Sequence, residues 1–96
     1  MSVVRTHTYS VAEADLEEFL ARRAGLIGTV RETCPGLTHA VLIQLDDGTY
    51  HDTWHWEDAG LLESASRAVA ALPEAPPTMA LTKDVSTQDG HVVDER

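Results

Sequence analysis

Apolar and polar residues alternate in short runs near both ends and in the middle of this chain. Between those runs lie two stretches in which apolar residues recur every three or four positions. Alternation puts every second side chain on one face of a strand, whereas the longer spacing gathers apolar groups on one stripe of a helix. Val3 to Tyr9, rich in Val, Thr and Tyr, therefore predicts a first strand. Ser10 and Glu13 follow with the spacing of a capping box, in which hydroxyl and carboxylate each satisfy an exposed helix N–H. Leu16, Phe19, Leu20, Ile27 and Val30 continue at helical spacing, with Glu17, Glu18, Arg22 and Arg31 largely off that face. Gly25 and Gly28 fall inside this helix, where each costs about 1 kcal/mol against alanine; they either admit close packing or break the last turns. Cys34-Pro35-Gly36 stops the helix, because proline disfavours helix before it and glycine permits a tight turn.

The second half repeats the scheme. Leu37 to Leu45 alternates as a strand, Asp47-Gly48 signals a hairpin, and Tyr50 to Trp56 returns with β-branched and aromatic residues. Asp58 caps a second helix carrying Leu61, Leu62, Ala65, Ala68, Val69 and Leu72, with Glu63 and Arg67 one turn apart as a supporting pair. Pro73 ends it, Pro73 to Pro77 reads as a stiff connector, and Met79 to Val85 as the last main strand. Asp89-Gly90 either turns a short ribbon through His91-Val92-Val93, able to pair with a partner, or residues 87–96 form a loose tail.

Strand, helix, hairpin, helix, strand is the split βαβ order. The expected fold is α+β: one ferredoxin-like βαββαβ domain over residues 1–96, an antiparallel sheet with two helices on one face. The other sheet face needs a cover, and a second copy supplies it, giving a homodimer of the dimeric α/β barrel kind.

The hairpin register decides which side chains meet. With a two-residue loop at Asp47-Gly48, Leu45 faces Tyr50, Ile43 faces Asp52, Val41 faces Trp54 and His39 faces Trp56, all on one sheet face. Leu37, Val41, Ile43, Trp54 and Trp56 make that the apolar face beneath the helices, so His39 and Asp52 on it must be hydrogen-bonded or line a cavity. A three-residue loop with a bulge moves the pairing by one and sets His51 and His55 with Val41; it spoils the apolar face and ranks second.

Composition narrows the function. With 16 acidic against 7 basic residues and a net charge of -9, the surface repels phosphate backbones and anionic lipid, which argues against nucleic acid and membrane partners. No apolar run is long enough to span a bilayer, no signal-peptide pattern is visible, and the single cysteine, Cys34, fits a reducing cytoplasm. His51-Asp52-Thr53-Trp54-His55 resembles the zinc motif HExxH in spelling only. That motif needs a helix, and on a strand the two histidines lie about 13 Å apart, so no metal site is expected. Phosphate loops, nucleotide fingerprints and serine-nucleophile elbows are absent from the sequence, and nothing near Cys34 is positively charged enough to activate its thiol.

Cys34-Pro35-Gly36-Leu37, Val41-Leu42, Asp47-Gly48 and Trp54-His55-Trp56-Glu57-Asp58, taken in order, resemble the antibiotic biosynthesis monooxygenase family of dimeric α/β barrels. The resemblance implies oxidation of a phenolic or polycyclic aromatic small molecule by dioxygen, with no cofactor. An apolar pocket desolvates the substrate, a base removes the phenolic proton, and the electron-rich anion meets oxygen directly. On this reading His39 is the base and Asp52 orients a substrate hydroxyl. Trp54, Trp56 and Tyr50 form the substrate-binding wall, and His7 is a substrate contact and second candidate base. Leu62 to Leu72 contains no histidine, unlike the haem-degrading members that use one there as an axial ligand. The same pocket is open to two other uses: a non-catalytic dimer that binds a small hydrophobic ligand, or a cyclase or isomerase that consumes no oxygen.

Overall fold

A computed structural model describes residues 2–96. Strand β1 covers Val3–Val11, β2 Leu37–Gln44, β3 Tyr50–Trp56 and β4 Thr82–His91; helices α1, α2 and α3 cover Leu16–Thr33, Ala59–Val69 and Ala75–Met79. The four strands form one sheet in the order β2-β3-β1-β4, with every neighbouring pair antiparallel. This is the ferredoxin-like βαββαβ arrangement that the pattern predicts.

Several local expectations change. β1 runs on to Val11, so Ser10 stays in the strand and the capping box with Glu13 does not form; a single 3-10 turn at Glu13–Asp15 leads into α1 instead. α1 passes unbroken through Gly25 and Gly28, both of which face open space, so they neither break the helix nor admit a close neighbour. Leu20 is exposed, and the buried stripe is Phe19, Leu26, Ile27 and Val30. Asp58 caps α2 as expected, its carboxylate accepting from the Leu61 N–H at 2.8 Å. The connector after Pro73 coils into α3, whose first turn tolerates the prolines because it needs no N–H donors there. β4 starts at Thr82 rather than Met79 and continues straight through Asp89-Gly90, so residues 87–91 pair with β1 instead of turning or hanging loose. A shift in its register opposite Thr8 to Ser10 is accompanied by Asp84 at a φ of 56°, in the left-handed region that Asp tolerates better than most residues.

The hairpin carries the correction that matters most. Leu45 pairs with Thr49, its N–H donating to the Thr49 carbonyl at 2.8 Å, and Asp46, Asp47 and Gly48 form a three-residue loop. Gly48 takes a φ of 90°, and Asp47 Oδ1 accepts from both the N–H and the hydroxyl of Thr49 at 2.9 and 2.6 Å. The register is therefore Gln44 with Tyr50, Leu42 with Asp52, Ala40 with Trp54 and His39 with His55. A slip of one residue turns every β2 side chain over. His39, Val41 and Ile43 point away from the helices beside His51, Thr53 and His55, while Ala40 and Leu42 point inward. A bulge at Thr38 restores Leu37 to the inner face opposite Trp56.

Gly36, in the turn just before β2, has a φ of 104°, and a Cβ there would lie 2.7 Å from Leu61 Cδ1. Only glycine meets both demands, and the close approach seats the start of α2 against the start of β2. The core is in two parts. One contains Leu26, Val30, Cys34, Trp56, Leu62, Ala65 and Ala75; the other is built on Tyr9, Phe19 and Tyr50, with the Tyr9 ring edge-on to Phe19 and stacked on Tyr50.

Candidate functional site

Between those two clusters lies a cavity of about 180 Å³, floored by the sheet and roofed by α1, α2 and α3. Antiparallel pairing lays the inward side chains of three strands in cross-strand rows. His91, Val3 and Trp56 form one row; Asp89, Arg5 and Trp54 the next; Thr87, His7 and Asp52 the third; and Tyr9 and Tyr50 the last on β1 and β3. Arg5, His7, Tyr9, Asp52, Trp54 and Trp56 all line the cavity floor. Phe19, Arg23 and Leu26 of α1 and Leu62, Ala65, Ser66 and Val69 of α2 close it above.

Asp52 is 5% exposed and accepts four hydrogen bonds. Tyr9 donates to Oδ2 at 2.8 Å, Arg23 grips both oxygens at 3.0 and 2.7 Å, and Trp54 Nε1 donates to Oδ1 at 2.8 Å. Four donors occupy the lone-pair positions of both oxygens, so the buried charge is fully compensated. Burial, with the Asp52 charge beside it, drives the Tyr9 hydroxyl far above its ordinary pKa, so it remains a donor. The carboxylate thus holds α1 to the sheet and fixes the plane of the Trp54 indole.

His7 is different. Its Nδ1 lies 3.1 Å from Thr87 Oγ1 on the next strand. Burial pulls its pKa below the ordinary imidazole value; Asp52 opposes that shift and Arg5 adds to it. At neutral pH the ring is uncharged, and it is the base that faces the cavity.

The expected site residues divide accordingly. The fold brings His7, Asp52, Trp54 and Trp56 together at the cavity. Tyr50 is buried beside Tyr9 in the second core cluster, its ring stacked on that of Tyr9, and does not line the cavity. His39 stands on the opposite sheet face, exposed and stacked on His55 with ring centroids 3.9 Å apart, because of the register change in the hairpin. It cannot reach a molecule held under the helices.

Two further cavity residues, Arg23 and Arg5, lie outside the expected set. Arg23 was legible: Phe19, Arg23, Leu26 and Val30 fall on one helical stripe, and a cation on an apolar stripe calls for a buried anion. Arg5 shares the inward positions of β1 with Val3, His7 and Tyr9, which becomes informative once β1 is placed between β3 and β4.

No family model matches this chain, and no curated protein is similar to it in sequence. Solved structures resemble it closely in fold. A mutant of SnoaB, a cofactor-independent oxygenase from Streptomyces nogalater, superposes with a TM-score of 0.80 at 20% identity, over 98% of this chain and 95% of that one. A Caulobacter crescentus protein provisionally named an antibiotic biosynthesis monooxygenase gives 0.70 at 20% identity, over 97% and 91%. MhuD, in a mutant with two manganese protoporphyrin IX molecules per active site, gives 0.72 at 22% identity, over 98% and 97%. The chain therefore has the α+β fold of the antibiotic biosynthesis monooxygenases.

The α2 side chains that face the cavity are Leu62, Ala65, Ser66 and Val69, so α2 supplies no ligand for haem iron. The cavity is also close in size to the roughly 150 Å³ space that takes a single benzene.

Proposed function

We propose that this protein is a cofactor-independent monooxygenase-like enzyme, which oxidises a phenolic aromatic small molecule, polycyclic ones included, with dioxygen. The observation that carries the reading is a neutral imidazole, His7, in a cavity walled by Trp54, Trp56 and Phe19. With Nδ1–H donating to Thr87, Nε2 carries the free lone pair and accepts the substrate's proton. The keto form of a two-ring naphthol, for example, gives the anion by losing a proton from its ring CH₂ carbon. That carbon adds dioxygen, the peroxide oxygen takes the proton back from His7, and loss of water leaves a carbonyl. The CH₂ group and O₂ become C=O and H₂O, so the reaction needs no other reductant.

Asp52 is a positioning residue in this scheme. Its oxygens are occupied by Tyr9, Arg23 and Trp54, so it shapes the aromatic wall and leaves substrate contact to the indoles and His7. The working form is a homodimer, joined through the outer sheet face where Val41 and Ile43 are 42% and 49% exposed beside His39, His51 and His55. The likeness in fold to SnoaB, a cofactor-independent oxygenase, supports the chemistry, and the buried, unpaired thiol of Cys34 suits the cytoplasm.

The test is dissolved-oxygen uptake on a panel of hydroquinones, naphthols and anthrones without added cofactor, comparing wild type with His7→Gln. Uptake that depends on both protein and His7 supports the proposal. Ligand binding with no uptake turns the reading to a ligand-binding dimer. Product formation without oxygen loss turns it to a cyclase or isomerase.

A further inference from the structure

A second cleft, of about 390 Å³, opens between α2 and the ends of β1 and β4. It and the inner cavity share three lining residues: Arg5, Leu62 and Ser66. The two spaces are therefore neighbours in one slot between sheet and helix, with the Arg5 side chain lying across it.

The way Arg5 is held makes it a bar. On the sheet side it grips Asp89 with two parallel bonds, Nε to Oδ1 at 2.7 Å and Nη2 to Oδ2 at 2.9 Å. On the helix side Nη1 donates to Ser66 Oγ at 2.6 Å, and that hydroxyl donates in turn to the Leu62 carbonyl at 2.9 Å. The guanidinium thus ties β4 to α2 across the slot. The two ends differ in strength: the bidentate charge-assisted pair fixes the head to the sheet, whereas one hydrogen bond from a flexible stem holds the helix side.

We infer that Arg5 sets the length of the ring system this site accepts, by dividing the slot into an inner chamber and an outer cleft at the Ser66 contact. This rests on the proposal that the chamber takes an aromatic ligand. With the bar in place, the chamber suits one ring or a fused pair. A third ring in line must pass Arg5 into the outer cleft, toward Val3 and Ala59. That requires the Ser66 bond to break while the Asp89 pair turns the guanidinium aside.

The experiment is a fluorescence titration that reads quenching of Trp54 and Trp56, using 2-naphthol and the three-ring 1-anthrol on wild type, Arg5→Ala and Ser66→Ala. Larger aromatics ordinarily bind apolar sites more tightly, so discrimination against the longer one reports the bar. Wild type is expected to bind 1-anthrol about tenfold or more weaker than 2-naphthol, a factor typical of a pocket wall that rejects excess length. Both variants are expected to bring the two affinities within about threefold of each other. Ser66→Ala keeps the Arg5–Asp89 pair, so it decides the matter if Arg5→Ala fails to fold. Equal affinities in wild type, or a ratio unmoved in the folded variants, overturns the inference. If neither ligand binds wild type, the aromatic chamber itself is wrong and the inference falls with it. If the ratio shifts as expected but oxygen is never consumed, Arg5 keeps its role and only the oxygenase reading fails.

Discussion

His7 and Asp52 stand opposite each other on β1 and β3, yet the carboxylate turns its bonds to Tyr9, Arg23 and Trp54 and the imidazole turns Nδ1 to Thr87. Adjacent strands thus present a saturated anion and a base with one free nitrogen. Replacing His7 with Gln is expected to lower oxygen uptake by about 100- to 10,000-fold, the usual contribution of a positioned base. Binding of naphthol, followed by tryptophan quenching, should change little in the same variant.

The sign of the pH dependence follows from burial. His7 has a folded pKa below its unfolded value of about 6.5. The folded protein therefore releases a proton that the unfolded chain retains in the window between those two values. Stability should be level above about pH 6.5 and fall as the pH drops toward the folded value. The acid limb of kcat/KM should lie in the same region, below pH 6.5, and vanish in His7→Gln. Denaturant titrations and initial rates between pH 4.5 and 8 measure both.

Asp52→Ala leaves Arg23 buried without its partner, and Arg23 is only 14% exposed. A loss of about 3–5 kcal/mol in unfolding free energy is expected, as for other broken buried pairs. Trp54→Phe keeps an aromatic wall but removes one of the four donors, and should cost about 1 kcal/mol. Urea unfolding monitored by circular dichroism separates the two.

The outer sheet face offers an independent test. Ile43→Lys puts a charge among Val41, His51 and Thr53. Sedimentation should show the wild type as a dimer and this variant as a monomer at the same concentration.

Gly36→Ala should destabilise by about 1–3 kcal/mol, since the new methyl meets Leu61 and the φ of 104° disfavours any side chain. Thermal unfolding checks this, and Gly25→Ala, on the open face of α1, is the control with no such loss.

Much of this was legible in the chain. Period-two and period-3.6 patterns place β1, α1, β2, β3 and α2, and the inward face of β3 follows from alternation alone. What misled was the Asp47-Gly48 pair. The dipeptide suits a two-residue turn, but Thr49 offers both an N–H and a hydroxyl to the Asp47 carboxylate, and that favours the longer loop. One residue in the turn then moved His39 to the other side of the sheet. β4 was cut short for a similar reason: Asp89-Gly90 reads as a turn in isolation, whereas the partner strand β1 holds it extended. Arg5's ties to Asp89 and Ser66 span 84 and 61 positions, a separation that no local pattern carries.

The cavity separates the Trp56 cluster from the Tyr9 cluster, so the two halves of the interior meet across an unfilled space as well as through the Asp52 network. Dispersion contacts that a continuous core would make are missing there. A molecule that fills the gap supplies them only to the native chain, since the unfolded chain has no such chamber. Any true occupant therefore raises the melting temperature, with a gain of about 2.7 kcal/mol at a hundred times its dissociation constant. Resistance to heat in the presence of small aromatics becomes a way to find the natural ligand before any reaction is known.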